Sequence, residues 1–207
     1  ETRFFPLKPV EKKELRMRLD VPEGSKLIFS AGAISDRKGS LRMVKIFAKL
    51  QKKVANSYFV IAGPVGSKAE DKRCYQEILR FIEAHRLEEK VRMVGFVNNV
   101  SEWMQASDLF LFASREEGFG TVFVEAMASG LPVVCFPIEG ITDQIFQDGK
   151  DGRIAKKDED ALNHMFELLT KPEKRDLLVR GALDSFKDKF SCRRIIQQYE
   201  KIYNKLI

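Results

Sequence analysis

Short apolar runs that alternate with stretches of helical spacing constrain this chain more than any other feature. Six runs carry the pattern: KLIFSAG at 26–32, SYFVIAG at 57–63, KVRMVGFV at 90–97, DLFLFAS at 108–114, LPVVCF at 131–136 and GRIA at 152–155. Most are apolar at consecutive positions rather than at every second one, so both faces of each strand need cover. Helices are predicted between them, from about residue 41 and over 71–85, 101–106 and 121–129. After the last strand come 158–170, 172–188 and 192–206. This alternation predicts an α/β fold: a doubly wound, Rossmann-like parallel sheet with extra C-terminal helices. The expected organisation is a junction and short helix over 1–25, the sheet domain over 26–190 and a C-terminal helix over 191–207. The opening ETRFFPLKP lacks a starting methionine and reads as a linker, so one domain of a longer protein is expected.

Several function classes are disfavoured. No apolar run approaches the length of a membrane span, and no signal peptide is recognisable. Cys74, Cys135 and Cys192 are far apart, odd in number and without a C-x-x-C pair, which indicates neither a disulfide framework nor a zinc site. A reducing, cytoplasmic setting is expected. His85 and His164 fall in polar helical contexts and are expected at the surface. The net charge of +6 is concentrated from residue 171 onward, where ten Lys or Arg meet five Asp or Glu. That tail is read first as a solvated helical face; contact with anionic lipid, as a peripheral membrane attachment at the inner face, or with a partner domain stays open. Nucleic-acid binding is disfavoured, because the tail has few interleaved aromatics and matches no known module.

In a sheet of this type ligands sit outside the carboxyl ends of the strands, which draws attention to the loops at 32–40 and 114–120. SREEGFG (114–120) delivers Gly118 and Gly120 onto a helix amino end, where amide groups and a partial positive charge suit a phosphate. A plain tight turn is the competing reading. GAISDRKGS (32–40) places Arg37 and Lys38 before Gly39, and its order does not match a Walker A loop. A solvated basic turn is the alternative there. Glu125 stands among Val122, Phe123, Val124, Ala126, Met127 and Ala128. An ionised group in that company needs a partner, and a carboxylate can accept from both hydroxyls of a ribose at once. An exposed surface glutamate is the blander possibility.

With these residues in view, EGFGTVFVE at 117–125, an E-x7-E spacing, followed by AMASGLPVV, resembles the family-4 retaining glycosyltransferases. The RKG after the first strand, VGFV at 94–97 and DGKDGRIA at 148–155 follow in the family's order, and ETRFFPL resembles its interdomain junction. The resemblance implies the carboxy-terminal, nucleotide-sugar-binding domain of a GT-B enzyme. The amino-terminal acceptor domain would be absent and the isolated domain would barely transfer sugar. By that likeness Glu117 is the catalytic-site residue that contacts the transferred sugar, and Glu125 holds the ribose. Gly118, Phe119, Gly120 and Thr121 offer amides to sugar and pyrophosphate, Lys38 neutralises phosphate, and backbone near Phe96 and Val97 meets the base. No cofactor or metal is expected.

One position departs from the family pattern. Ala33 stands where an arginine often assists the diphosphate, leaving Arg37 or Ser35 to compensate. Glu116 adjoins Glu117, and only the spacing selects between them. Surface polysaccharide or glycolipid synthesis is the implied setting. Two rivals stay open: another GT-B enzyme such as a sugar-nucleotide epimerase, and a non-catalytic nucleotide-binding or assembly module. A phosphorylase would need a pyridoxal lysine in its own setting, which is not recognisable.

Overall fold

The computed structural model describes residues 2–204, so the last positions of the expected C-terminal helix lie outside the described residues. The six expected strands form one parallel sheet: β1 (Lys26–Ala31), β2 (Ser57–Ala62), β3 (Val91–Gly95), β4 (Leu109–Phe112), β5 (Val133–Cys135) and β6 (Arg153–Ile154). Their spatial order is β3-β2-β1-β4-β5-β6. Consecutive strands run outward from β1 in one direction and from β4 in the other. The order therefore reverses between β1 and β4, the place where such sheets open a crevice.

Burial alternates along each strand between two cores, which is why the runs read as continuously apolar. Ile28, Phe59, Ile61, Leu109, Leu111 and Val134 face one core, capped by α2 (Ser40–Gln51), α3 (Ala69–Ala84) and α7 (Asp158–Thr170). Leu27, Phe29, Val60, Phe110, Phe112 and Val133 face the other, capped by α1 (Pro9–Arg18), α4 (Val100–Ala106) and α5 (Thr121–Ala128). Phe112, Phe123 and Phe146 stack edge to face in this second core, with ring centroids 5.1 and 5.2 Å apart. They fix the angle at which α5 leaves the sheet.

At the amino-terminal rim of the sheet, Asp108 fastens α1. Its Oδ2 accepts from Arg16 Nη2 at 2.6 Å and from the Leu27 amide at 2.8 Å, and its Oδ1 accepts from Lys12 Nζ at 3.1 Å. Lys12 and Arg16 also donate to the Ser107 and Ala106 carbonyls. Burial alone would push this carboxyl up, but the charges of Lys12 and Arg16 and their hydrogen bonds outweigh it and hold it below the ordinary carboxylate range.

The remaining chain corrects the sequence reading in detail. A four-residue α6 (Thr142–Ile145) was not expected. The helix expected over 172–188 is α8 (Pro172–Ser185) followed by a π-helical turn, Phe186–Phe190. The wider turn closes with the Ser191 amide on the Phe186 carbonyl at 2.9 Å, and Ser191 then caps α9 (Cys192–Tyr203) by accepting from the Arg194 amide. His85 is exposed, as expected, but His164 is half-buried. Arg153 Nη2 lies 2.8 Å from His164 Nδ1, and since arginine can only donate, the imidazole accepts. Burial and the Arg153 charge hold His164 below the usual imidazole range.

Candidate functional site

The two loops that the topology places at the switch point are the two singled out by their glycines and charges. They are stitched together. The Arg115 amide donates to the Arg37 carbonyl at 2.9 Å, Arg37 Nη1 donates to the Glu116 carbonyl at 3.1 Å, and the Arg115 guanidinium grips the Asp36 carboxylate at 2.9 and 3.3 Å. Gly39 makes the approach possible. It adopts φ 67°, and a Cβ there would lie 2.3 Å from the Ala113 carbonyl oxygen. Only glycine lets α2 begin against the end of β4.

Inside the stitch, Lys38 and Glu117 meet: Nζ lies 2.5 Å from Oε1, and the two side chains are 14% and 12% exposed. Lys38 also sits 5.5 Å from the centre of the Phe112 ring. Such a part-buried pair is strong because little water screens it, and its charges are mutually neutralised. Of the two adjacent acids, Glu117 turns to Lys38, whereas Glu116 is exposed and gives its carbonyl to Arg37 and Ser114.

Helix α5 starts at Thr121 behind Gly120, whose φ of 77° and contact with the Phe123 ring leave no room for a side chain. The Phe123 amide closes the first turn on the Gly120 carbonyl, so the amides of Thr121 and Val122 precede the helical ladder and are oriented outward along its axis. Gly118 differs from Gly39 and Gly120: a Cβ there would meet nothing within 4 Å. Phe119 and Thr121 are exposed beside it.

Glu125 lies in the second turn of α5. Helical side chains lean toward the amino end, which aims this one back toward the rim. It is half-buried, and its carboxylate has no hydrogen bond or ion pair among the described residues. Burial pushes its carboxyl up, and the charge of Arg3 pulls it partly back. Across the second core, the loop after β3 carries Phe96, 74% exposed behind Gly95, and Val97, which packs against that core. Phe96 thus offers an open aromatic face at the same rim.

Two proposed compensators for Ala33 are engaged elsewhere. Arg37 points to the Glu116 carbonyl and lines a separate charged cavity of about 460 Å³ with Asp36, Glu70, Arg73 and Cys74. Ser35 is buried, its hydroxyl accepting from the Lys38 amide at 3.2 Å, and so shapes the turn that presents Lys38. Among the described residues no group of three or more His, Cys, Asp or Glu is placed to hold a metal ion. Sequence reasoning missed Arg3, whose guanidinium donates to the Asn98 carbonyl at 3.4 Å through a long-range return of the chain that no local pattern signals.

Comparison with known proteins identifies the family and the fold. The sequence model of the family described as glycosyl transferases group 1 matches residues 11–183. The chain is 27% identical over 192 residues to N-acetyl-alpha-D-glucosaminyl L-malate synthase of Bacillus anthracis, covering 92% of this chain and 48% of that protein. It is 27% identical over 170 residues to alpha-monoglucosyldiacylglycerol synthase of Acholeplasma laidlawii, covering 81% and 41%. The chain thus spans about half the length of the curated relatives it matches. In fold it is similar to Anabaena Alr3699/HepE, solved in complex with UDP and glucose, with a TM-score of 0.85, 22% identity and coverage of 97% of this chain and 54% of that one.

Proposed function

The chain belongs to the group 1 glycosyl transferases, and from that premise we propose that it is the donor half of a retaining glycosyltransferase, binding a nucleotide diphosphate sugar. The observation that carries the reading is Glu125: a half-buried carboxylate with no hydrogen bond or ion pair among the described residues, on the helix that starts beside the Lys38–Glu117 pair. A ribose presents two hydroxyl donors to such a group, and each bond to a charged acceptor contributes about 1.5–3 kcal/mol.

The other roles follow from position. Phe96 and the Val97 backbone receive the base. Lys38 and the amides of Gly118, Phe119, Gly120 and Thr121 face the diphosphate, and Glu117 accepts from hydroxyls of the transferred sugar. In the reaction, the bond between the anomeric carbon and the β-phosphate oxygen breaks while an acceptor oxygen bonds to that carbon from the same face. The acceptor proton passes to the departing phosphate. Lys38 and the fixed amides stabilise the charge that develops on the leaving group, a preorganised electrostatic role.

The acceptor is assigned to chain outside these residues, so this piece alone binds donor and turns it over poorly. Polysaccharide or glycolipid synthesis is the setting we favour, since Acholeplasma laidlawii alpha-monoglucosyldiacylglycerol synthase is among the relatives. No helix among the described residues is long and apolar enough to cross a membrane. A peripheral lipid contact falls to α9, which exposes Ile196, Tyr199 and Ile202 beside Arg193 and Lys201.

Titration calorimetry with UDP, GDP and ADP, wild type against Glu125→Ala, tests the reading. UDP is the first choice because the HepE structure holds it. Binding of one diphosphate that falls at least tenfold in the variant is expected. Absence of binding by all three would favour the non-catalytic assembly module.

A further inference from the structure

We propose that the Lys38–Glu117 pair sets a preference for the intact nucleotide sugar over the diphosphate left after transfer, because the pair must open before either half can serve a ligand. The proposal rests on this rim being the donor site.

The pair is closed in the structure, with Lys38 Nζ 2.5 Å from Glu117 Oε1 and both side chains largely shielded from water. The main chain on either side is held. The Ser35 hydroxyl accepts from the Lys38 amide at 3.2 Å, the Ser40 hydroxyl accepts from the Ser35 amide at 3.1 Å, and both serines are buried. Across the crevice, the Glu116 carbonyl accepts from Arg37 at 3.1 Å and from the Ser114 hydroxyl at 2.9 Å. The backbones therefore do not part, and opening falls to the two side chains. The lysine has room to turn. Its stem crosses Gly32, where even an added Cβ would meet Cδ and Cε only at ordinary contact distances of 3.8 and 3.9 Å.

Neighbouring cations do not relieve the lysine. Ala33 carries no charge, Arg37 is directed to the Glu116 carbonyl and Arg115 to the Asp36 carboxylate. Phosphate arriving between these loops must draw on a lysine that Glu117 already neutralises. A diphosphate that takes Lys38 leaves Glu117 part-buried, unpaired and near a like charge. A nucleotide sugar brings phosphate to the lysine and hydroxyl donors to the carboxylate in one molecule, so both halves find new partners. Once the sugar has been transferred, that balance is lost and closure of the pair favours departure of the diphosphate.

The test is calorimetric titration of the 207-residue chain with UDP, GDP and ADP, thermal melting serving to confirm that each variant folds. Glu117→Gln is expected to tighten the bound diphosphate about threefold or more. In a Lys38→Met background the same substitution should change affinity by less than about 1.5-fold, since no lysine is left to release. An equal gain in both backgrounds would mean simple repulsion of phosphate by Glu117. Weaker binding by Glu117→Gln would mean that the carboxylate only props the lysine. Either result overturns the proposal and leaves the donor site in place. With UDP-glucose, UDP-N-acetylglucosamine, GDP-mannose and ADP-glucose as probes, the tightest should exceed its diphosphate in the wild type and lose that advantage in Glu117→Gln. A wild type that favours the diphosphate over all four also overturns the proposal. Failure of every diphosphate to bind either wild type or Glu117→Gln removes the donor reading itself, and the proposal with it.

Discussion

The two rims of the sheet both carry buried or part-buried ion pairs, and they are built in opposite ways. At the amino-terminal rim Asp108 spends both oxygens on Lys12, Arg16 and the Leu27 amide, and the two cations donate further to the Ser107, Ala106 and Ser25 carbonyls. At the carboxyl rim Lys38 and Glu117 hold each other, and Glu125 holds nothing among the described residues. The same residue types stabilise where both carboxylate oxygens are engaged and remain able to bind where they are not. Saturation, more than the presence of charge, separates a structural cluster from a site.

Removing Asp108 is the strongest way to break the contrast. Asp108→Asn leaves two cations without their carboxylate and should cost about 3 kcal/mol, lowering Tm by about 6–12 °C, with nucleotide affinity unchanged in the folded fraction. Its carboxyl is depressed in the fold, so its contribution is complete at neutral pH and is lost as acid titrates it below the ordinary carboxylate range. Melting curves of wild type and variant should therefore converge in acid.

The glycines sharpen the comparison within one rim. Gly39→Ala should cost about 2–3 kcal/mol, from its left-handed backbone and the Ala113 carbonyl. Gly118→Ala should melt within about 1 °C of wild type, since a Cβ there touches nothing, yet bind donor more weakly. Equal losses of stability would mean that Gly118 serves the fold and not the ligand.

Glu117→Gln probes the exchangeable pair. Freed from its carboxylate, Lys38 should bind a nucleoside diphosphate about threefold to tenfold tighter, while any extra affinity for the corresponding nucleotide sugar disappears. Tighter binding from loss of a site residue is the outcome to look for by calorimetry.

The smallest effect concerns Glu125 and pH. Burial raises its carboxyl, so the folded state favours the protonated form and ionisation at neutral pH costs stability. Donor affinity should fall as pH drops, with a midpoint above the ordinary carboxylate range. Glu125→Gln should abolish that dependence and raise Tm at neutral pH by about 1–3 °C.

Much of this was legible in the sequence, for identifiable reasons. Strands buried on both faces leave consecutive apolar residues, so all six were readable, and glycine at a strand-to-helix turn marked both rim loops. The π-turn at Phe186–Phe190 was not readable, because local helix propensity does not distinguish hydrogen bonding across five residues from bonding across four. Nor was the role of Asp108, which looks in sequence like an ordinary polar residue before a strand; its partners lie more than eighty positions away. Arg37 illustrates a subtler limit. The sequence places it at the right loop, but which of two neighbouring cations faces the crevice depends on the Ser35 turn and on the Glu116 carbonyl.

The stitch between residues 36–37 and 115–116 bears on how the molecule can move. Joined by a backbone bond, a guanidinium on a carbonyl and a forked ion pair, the two segments behave as one rigid lip. Neither can fold over an incoming molecule without dragging the other, so any clamping has to come from other segments.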